Sequence, residues 1–577
     1  DAKYTKGYLL VDDVAYSNGT YMVRFNYTLP EWLREKDFNA MVKYYPSDSW
    51  NNVIAYISAP TKVEYVSWNL TYSETMPYFK ITCPITTDHA CDGSDGEIKA
   101  GSRLYIYDNR YALTRGEWYF DQSTQELFVH HDGGEGKGWM DRVIIPTSTT
   151  IVSVRGRHFR DGVPSEYVRD IEFTGVTFED TTFESFGFQS GFNVVPASTG
   201  IPDDLAFHIR GGNDIRVRHC GFNGTGGGGI LATDASANLT ITYNSFHEIG
   251  QTAVMLVGNA TTQPTHVEVG HNYIQGVGRV LASAAGLYGS SVSNSHFHNN
   301  VITEGSRWGI AIRSESFENA SSVQNLVEFN KISYMGQQTK DFGGLSFIGY
   351  DGVADAETTV QFNCVRDNVG VHSSAAMGIE SPYMNYGIYL DNEASGYAIY
   401  GNVLKHSVTA NLFFHEGRHN VVSNNVLADA RNNGPLGKSS SGGQVAFKKK
   451  NGWTQNITFE QNIVLWFNNS HTDVLLYDSS GASDFDDRSF YIDRNLYWCV
   501  GAEVQDKFLT NNDLTPRGNW LNWTAAGYDH DSHITDPLFL DPSGGDYSFS
   551  TEGDPESADS PAHRIGFKAL PNTVAWC

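Results

Sequence analysis

Apolar and polar residues alternate along this chain over short runs of four to seven positions. Each run ends at Gly, Asn or Asp, which marks strands and turns rather than helices. Between residues 215 and 497 the runs share an ending, an Asn followed by one or more apolar residues. It reads ITYNSF at Asn244, VGHNYI at Asn272, HNNVI at Asn300, VEFNKI at Asn330 and VQFNCV at Asn363, then YGNVL at Asn402, SNNVL at Asn425, FEQNIV at Asn462 and IDRNLY at Asn495. The steps are 28, 28, 30, 33, 39, 23, 37 and 33 residues, and Cys220 takes the same slot 24 residues before Asn244. Such a period is that of a solenoid. Leucine-rich repeats would need a regular Leu framework, which is missing, so the pattern predicts a parallel β-helix. In that fold each coil adds one strand to each long sheet, and a turn Asn can hydrogen-bond to the Asn of the next coil.

The flanks read differently. Residues 1–145 are expected to form a β-rich N-terminal domain, sandwich-like and packed over one end of the solenoid, with one short helix within EWLREKDFNAMVKYYP. Residues 146–535 are the predicted β-helix with its cleft, DIEFTGVTFED (170–180) being an early coil. The ladder fades after about residue 500, and 536–577 is read as a C-terminal closing segment.

Composition narrows the function. The 577 residues carry 40 Lys and Arg against 66 Asp and Glu, a formal charge of −26, so nucleic acid is a poor partner. No apolar run approaches the roughly 18 to 20 residues of a membrane span. Only 40% of the chain is hydrophobic, as a core one coil wide requires, while 13% is aromatic, which suits contact with sugar. Cys83 and Cys91 can close a small loop, Cys499 and the terminal Cys577 can pin the tail, and Cys220 and Cys364 read as buried free thiols. Sequons at Asn18, Asn26, Asn69, Asn223, Asn238, Asn259, Asn319, Asn456, Asn468 and Asn522 modestly exceed chance. Asp1 is not an initiator residue, so a removed leader and a secreted protein are the expectation. No cofactor is called for: DFDDR (484–488) could hold a structural calcium but lacks EF-hand spacing, and GTGGGG (224–229) lacks the ending of a phosphate loop. The oligomeric state is open, with a monomer as the working expectation.

A second strand series precedes the Asn ladder: WGIAIR (308–313), GGLSFIG (343–349), YGIYLD (386–391), NLFFHEG (411–417) and GQVAFKKK (443–450). Aligning the apolar centres puts Arg313, Asp391 and His415 in one column, Glu416 one residue beyond, and Lys448 or Lys449 on the coil after. Coils are about 4.8 Å apart, so these side chains should emerge together. Two close carboxylates with aromatic neighbours are what glycosidic hydrolysis needs, one ionised and one protonated to donate to the leaving oxygen. Adjacent rungs favour the short separation of about 5 to 5.5 Å and hence retention. Asp341, which opens KDFGGLSF, is either a turn aspartate or a third carboxylate of the cleft. Glu380, His415, Arg418 and His419 are candidate hydrogen-bonding partners, and Trp308, Phe347, Tyr386, Tyr389 and Phe413 are candidate sugar-stacking rings. No third ligand supports a metal beside His415 and Glu416.

These segments resemble the secreted right-handed parallel β-helix glycoside hydrolases of families 120 and 141 and their relatives. GEWYFDQSTQELFV (116–129) is similar to a recurring Gly-Glu-Trp-Tyr-x-Asp segment, and DIEFTGVTFED to the first coil after it. YGIYLDNEASGYAIYGNVL (386–404) and NLFFHEGRHNVVSNNVL (411–427) resemble the paired coils bearing the site, and DPLFLDPSGGDYSF with SPAHRIGF (536–567) resembles the C-terminal closure. The resemblance implies xylan- or fucose-linked glycan chemistry, with Asp391 as nucleophile and Glu416 as acid/base. HEGRHN (415–420) departs from the His-Gly-Gly-Arg-Asp-Asn of many relatives, so the partner of Asp391 is Glu416 first and Asp341 second.

Two rivals stand beside hydrolysis. Arg313, Arg418 and Lys448 could neutralise a uronate for a polysaccharide lyase or epimerase with a His or Lys base. A non-catalytic carbohydrate-binding solenoid would use the same surface without converging carboxylates.

Overall fold

The computed structural model describes residues 8–17, 20–25, 39–46, 53–58, 78–82, 97–121, 123–131, 143–184, 204–314, 321–349, 355–376, 378–431, 443–448, 454–467, 476–478, 489–504, 508–511 and 519–577. The chain is all-β, a right-handed parallel β-helix preceded by a separate antiparallel β-barrel. Three long parallel sheets of 11, 12 and 12 strands run the length of the solenoid, each coil giving one short strand to each.

The Asn ladder is a continuous buried stack. In each coil the side-chain amide nitrogen donates to the Asn of the next coil, as from Asn244 to Asn272 at 3.0 Å and from Asn330 to Asn363 at 2.9 Å. The same nitrogen donates to a backbone carbonyl of the preceding coil, and the side-chain oxygen accepts a backbone N–H. Cys220 occupies the slot predicted for it, its N–H donating to Asn244 Oδ1 at 2.9 Å. The residue before each ladder Asn turns the corner in the left-handed region: Tyr243, His271, Phe329, Phe362 and Arg494 have φ between 52° and 58°. That conformation costs an L-residue roughly 1 kcal/mol, which the satisfied amide offsets. The ladder ends on Asp529, a buried carboxylate accepting from Asn495, Tyr497, Trp523 and Ser532.

The interior is one apolar stack. Ile310, Leu345, Ile388, Leu412 and Val445 follow one another in register, beside Ile312, Phe347, Leu390, Phe414 and Phe447. Phe508, Trp523 and Tyr528 cover its far end.

The flanks differ from expectation. The N-terminal domain is a closed six-stranded barrel, not a sandwich, in the order Leu9–Ser17, Thr20–Phe25, Phe79–Thr82, Val53–Ser58, Asn39–Tyr45 and Arg103–Tyr107. Closure removes the exposed edges that an open sheet would leave. Of the expected helix, 31–38 lies outside the described residues and Asn39–Tyr45 is a strand. GEWYFDQSTQELFV forms the antiparallel hairpin Trp118–Asp121 with Glu126–Val129. The barrel rests on the side of the middle coils, near Arg279 and Gln338, rather than over an end.

The closing segment also lies along a flank. Phe539, Tyr547, Ile565, Phe567 and Val574 pack on the outward residues Val403, Val426 and Ile463 of one sheet. Cys577 is bonded to Cys364 of that sheet, so both the expected Cys499–Cys577 pairing and the reading of Cys364 as a free thiol are corrected, and Cys499 is buried. Cys364 follows ladder residue Asn363, and its outward position is where the tail arrives. Cys83 and Cys91 lie outside the described residues, as do DFDDR and the sequons at Asn18, Asn26, Asn69, Asn319 and Asn468. Asn223, Asn238, Asn456 and Asn522 are exposed, and Asn259 is half-buried.

Candidate active site

The predicted column exists. Arg313 pairs with Ile348, Ile348 with Asp391, and His415 with Lys448. Leu390 pairs with Phe414, which carries Asp391 and His415 to the same rung position on adjacent coils. These residues alternate with the inward Leu390, Phe414 and Phe447, so their side chains stand on the outer face.

Asp391, His415 and Lys448 form a hydrogen-bonded line across three coils. His415 Nδ1 lies 2.6 Å from Asp391 Oδ1, and Lys448 Nζ lies 2.5 Å from His415 Nε2. An ammonium can only donate, so Nε2 accepts and the ring proton sits on Nδ1, facing Asp391. The Tyr389 hydroxyl is 3.3 Å from His415 Nδ1. Glu416 turns off the strand end with φ 71°, its Oε1 3.9 Å from His415 Nε2 and 3.8 Å from Lys448 Nζ. The imidazole and ammonium therefore stand between Asp391 and Glu416. Left-handed backbone recurs throughout this solenoid, so the Glu416 φ is not a mark of function.

Asp341 joins the group from the coil before. Its N–H donates to Met384 O at 2.7 Å, and its own carbonyl accepts from Arg307 Nη2 at 3.3 Å. Among the described residues its Oδ1 is buried without a hydrogen-bond partner. Burial pushes this carboxyl up to about 6, the nearby Asp391 adding to the effect while Arg307, Lys340 and His415 oppose it. Arg307, 2% exposed, is itself brought down to about 10 by burial, against the pull of Asp341, Asp391 and Tyr389. Burial, reinforced by Asp341 and Asp391, holds the Tyr386 and Tyr389 hydroxyls firmly protonated.

The rings divide into two sets. Tyr386, Tyr389 and Phe413 stack on one another with centroids 4.5 to 5.1 Å apart, and Phe413 lies nearly parallel to His415 at 5.6 Å. They form a buried wall beside the imidazole. Trp308 and Phe347 are corrected: both belong to the interior stack, Trp308 beneath the Arg307 guanidinium at 4.0 Å and Phe347 against Tyr397.

The remaining candidates sit apart from the line. Arg313 is buried two coils before Asp391, with Ile348 between. Arg418 and His419 turn to Asp355, at 3.5 and 2.7 Å. Glu380 is buried on a hairpin opposite His372, its pKa raised by burial and opposed by Lys340. Sequence reasoning missed Arg307 and Asp355. Arg307 directly precedes a strand already singled out, so the strand alignment could have found it, whereas Asp355 carries no such signal.

Among the described residues no group of three or more His, Cys, Asp or Glu is placed to hold a metal ion, and no helix is long and apolar enough to cross a membrane. A model of the right-handed β-helix region matches residues 143–372. No curated protein matches the chain. Among solved structures, one described as a glycoside hydrolase is 12% identical with a TM-score of 0.44, covering 91% of this chain and 84% of the other. The catalytic domain of a GH87 α-1,3-glucanase with nigerose is 9% identical, TM-score 0.32, covering 91% of each chain. The periplasmic alginate epimerase AlgG is 11% identical, TM-score 0.32, covering 53% of this chain and 65% of the other. These likenesses concern the fold and do not single out families 120 and 141.

Proposed function

We propose that this protein is a secreted glycoside hydrolase in which Asp341 is the acid and Asp391 the nucleophile or base. The observation that carries the reading is the contrast between these two carboxyls. Asp341 has a sealed oxygen and an ionisation held near 6, so it keeps a proton to give to the leaving glycosidic oxygen. Asp391 accepts from His415 Nδ1 at 2.6 Å, which fixes the orientation of its carboxyl group. Asp341 thereby moves ahead of Glu416 as its partner, because Glu416 faces Lys448 across the imidazole. The substrate class is a neutral or mildly anionic glycan, with xylan- or fucose-containing polymers first in the screen. The Cys364–Cys577 bond fits an oxidising compartment.

Lys448 against His415 favours one second reading, a lyase or epimerase in which the cation neutralises a uronate and the Asp391-oriented imidazole takes the α-proton. A polysaccharide panel separates the two. Hydrolysis releases reducing ends without ultraviolet-absorbing unsaturated products, and Asp391→Asn abolishes the release. If Asp391→Asn keeps near-normal activity, the assignment is wrong.

A further inference from the structure

The loop that delivers Asp341 is held from the N-terminal barrel. Tyr45 and Lys43 stand on one barrel strand and Arg103 on its neighbour, paired Tyr45 with Arg103 and Lys43 with Tyr105. Three of their groups converge on one glutamine of the solenoid. The Tyr45 hydroxyl donates to Gln338 Oε1 at 2.5 Å, Lys43 Nζ donates to the same oxygen at 3.0 Å, and Arg103 Nη2 donates to the Gln338 carbonyl. Lys43 also reaches the Arg279 carbonyl at 3.3 Å, and Gln338 Nε2 donates to Gly278 O at 3.3 Å. Tyr45 and Arg103 are fully buried, the guanidinium lying 3.9 Å from the ring centroid.

The chain then runs straight to the site. Thr339 Oγ1 donates to Ser306 O at 3.0 Å, one residue before Arg307, and Asp341 follows with its N–H on Met384 O. A surface loop would not need a buried Tyr and a Lys on one side chain, and a buried Arg on the carbonyl of the same residue, three residues before a carboxyl. The barrel also closes over this region elsewhere: a Cβ added at Gly101 would fall 2.2 Å from Ala375 N, so barrel and hairpin backbones touch there.

We infer that the barrel is a working part of the active site, and that Tyr45, Lys43 and Arg103 are positioning residues which fix Asp341 through Gln338. The inference rests on Asp341 being the acid. Misplacing a proton donor by about 1 Å is enough to slow a reaction about 100-fold. With the clamp released, water reaches the Asp341 carboxyl and its ionisation falls toward the ordinary carboxylate range.

Hydrogen exchange on the full chain tests the clamp without any substrate. In Tyr45→Phe and Gln338→Ala, backbone amides of 339–342 should exchange at least about tenfold faster, while 386–391 keep their wild-type protection. Gln338→Glu keeps the acceptor for Tyr45 and Lys43 while losing the donation to Gly278 O, so its exchange should fall between wild type and Gln338→Ala. Unchanged exchange at 339–342, or equal acceleration at 386–391, overturns the clamp. On a glycan the wild type cleaves, the two loosening variants should lower kcat with KM retained and move the alkaline limb of the kcat profile to lower pH. An unmoved limb overturns the positioning role. Activity surviving in Asp391→Asn would sink the hydrolase reading instead, leaving the exchange result to decide the clamp.

Discussion

His415 holds Asp391 across one coil, its Nδ1 2.6 Å from the carboxylate oxygen while its Nε2 takes the Lys448 ammonium. A parallel β-helix makes such a contact by stacking alone, since equivalent positions on successive coils fall about 4.8 Å apart. Replacing His415 by Ala should lower kcat at least about 100-fold with a smaller change in KM, because it removes the group that orients the carboxylate. Steady-state kinetics on the cleaved glycan check this, and an unchanged kcat would remove His415 from the mechanism.

Asp341 links activity to pH and to stability. As an acid held near 6, it should make kcat decline as pH rises through about 6. Its raised ionisation means that its contribution to stability is present below about pH 4 and is lost as pH rises through about 6. Asp341→Asn should therefore lose activity yet stabilise the fold at pH 8 by on the order of 2 kcal/mol, with little gain at pH 4. Denaturant titrations of both proteins at the two pH values measure the difference. Equal stability changes at both would contradict it.

The amide ladder predicts a steep structural penalty. Asn330→Ala removes bonds to Asn363, to Phe297 O and from Asn300, leaving buried partners unsatisfied. A destabilisation of about 2 to 4 kcal/mol is expected, against less than about 0.5 for an exposed site such as Asn223→Ala. Denaturant midpoints compare the two.

The tail is predicted to depend on Cys364. Cys364→Ser or Cys577→Ser should destabilise the protein by about 2 to 5 kcal/mol and expose the segment after residue 536 to protease. Cys499→Ser should leave the tail protected from protease, since Cys577 is bonded to Cys364. Limited proteolysis with peptide mapping reads the outcome.

The solenoid was legible because its repeat is enforced by chemistry that leaves few substitutes. A buried amide bonded above and below admits Asn at nearly every turn, and the second strand series aligned by the same logic, which carried Asp391, His415 and Lys448 into one column. What escaped was whatever depends on chain excursions between coils. Trp308 and Phe347 read as exposed rings because a short apolar run does not reveal which alternate residue faces the core. The tail disulfide went to Cys499 because nothing in the spacing shows the tail folding back along the flank to Cys364. Arg418 and His419 looked poised for the cleft until Asp355, a loop residue more than 60 positions earlier, claimed both. The barrel was visible as β structure, but its closure and its seat beside Gln338 depend on contacts more than 230 residues apart.

The central claim, that Asp341 and Asp391 together hydrolyse a glycosidic bond, meets its most direct test in a reducing-end assay. The wild type and Asp391→Asn are incubated side by side with a panel of neutral and uronate-containing polysaccharides, with ultraviolet absorbance followed in parallel. The account predicts reducing ends from at least one glycan, no unsaturated product, and a loss of at least about 1,000-fold in Asp391→Asn. Release that persists in Asp391→Asn, or products that absorb as unsaturated uronates, would contradict it.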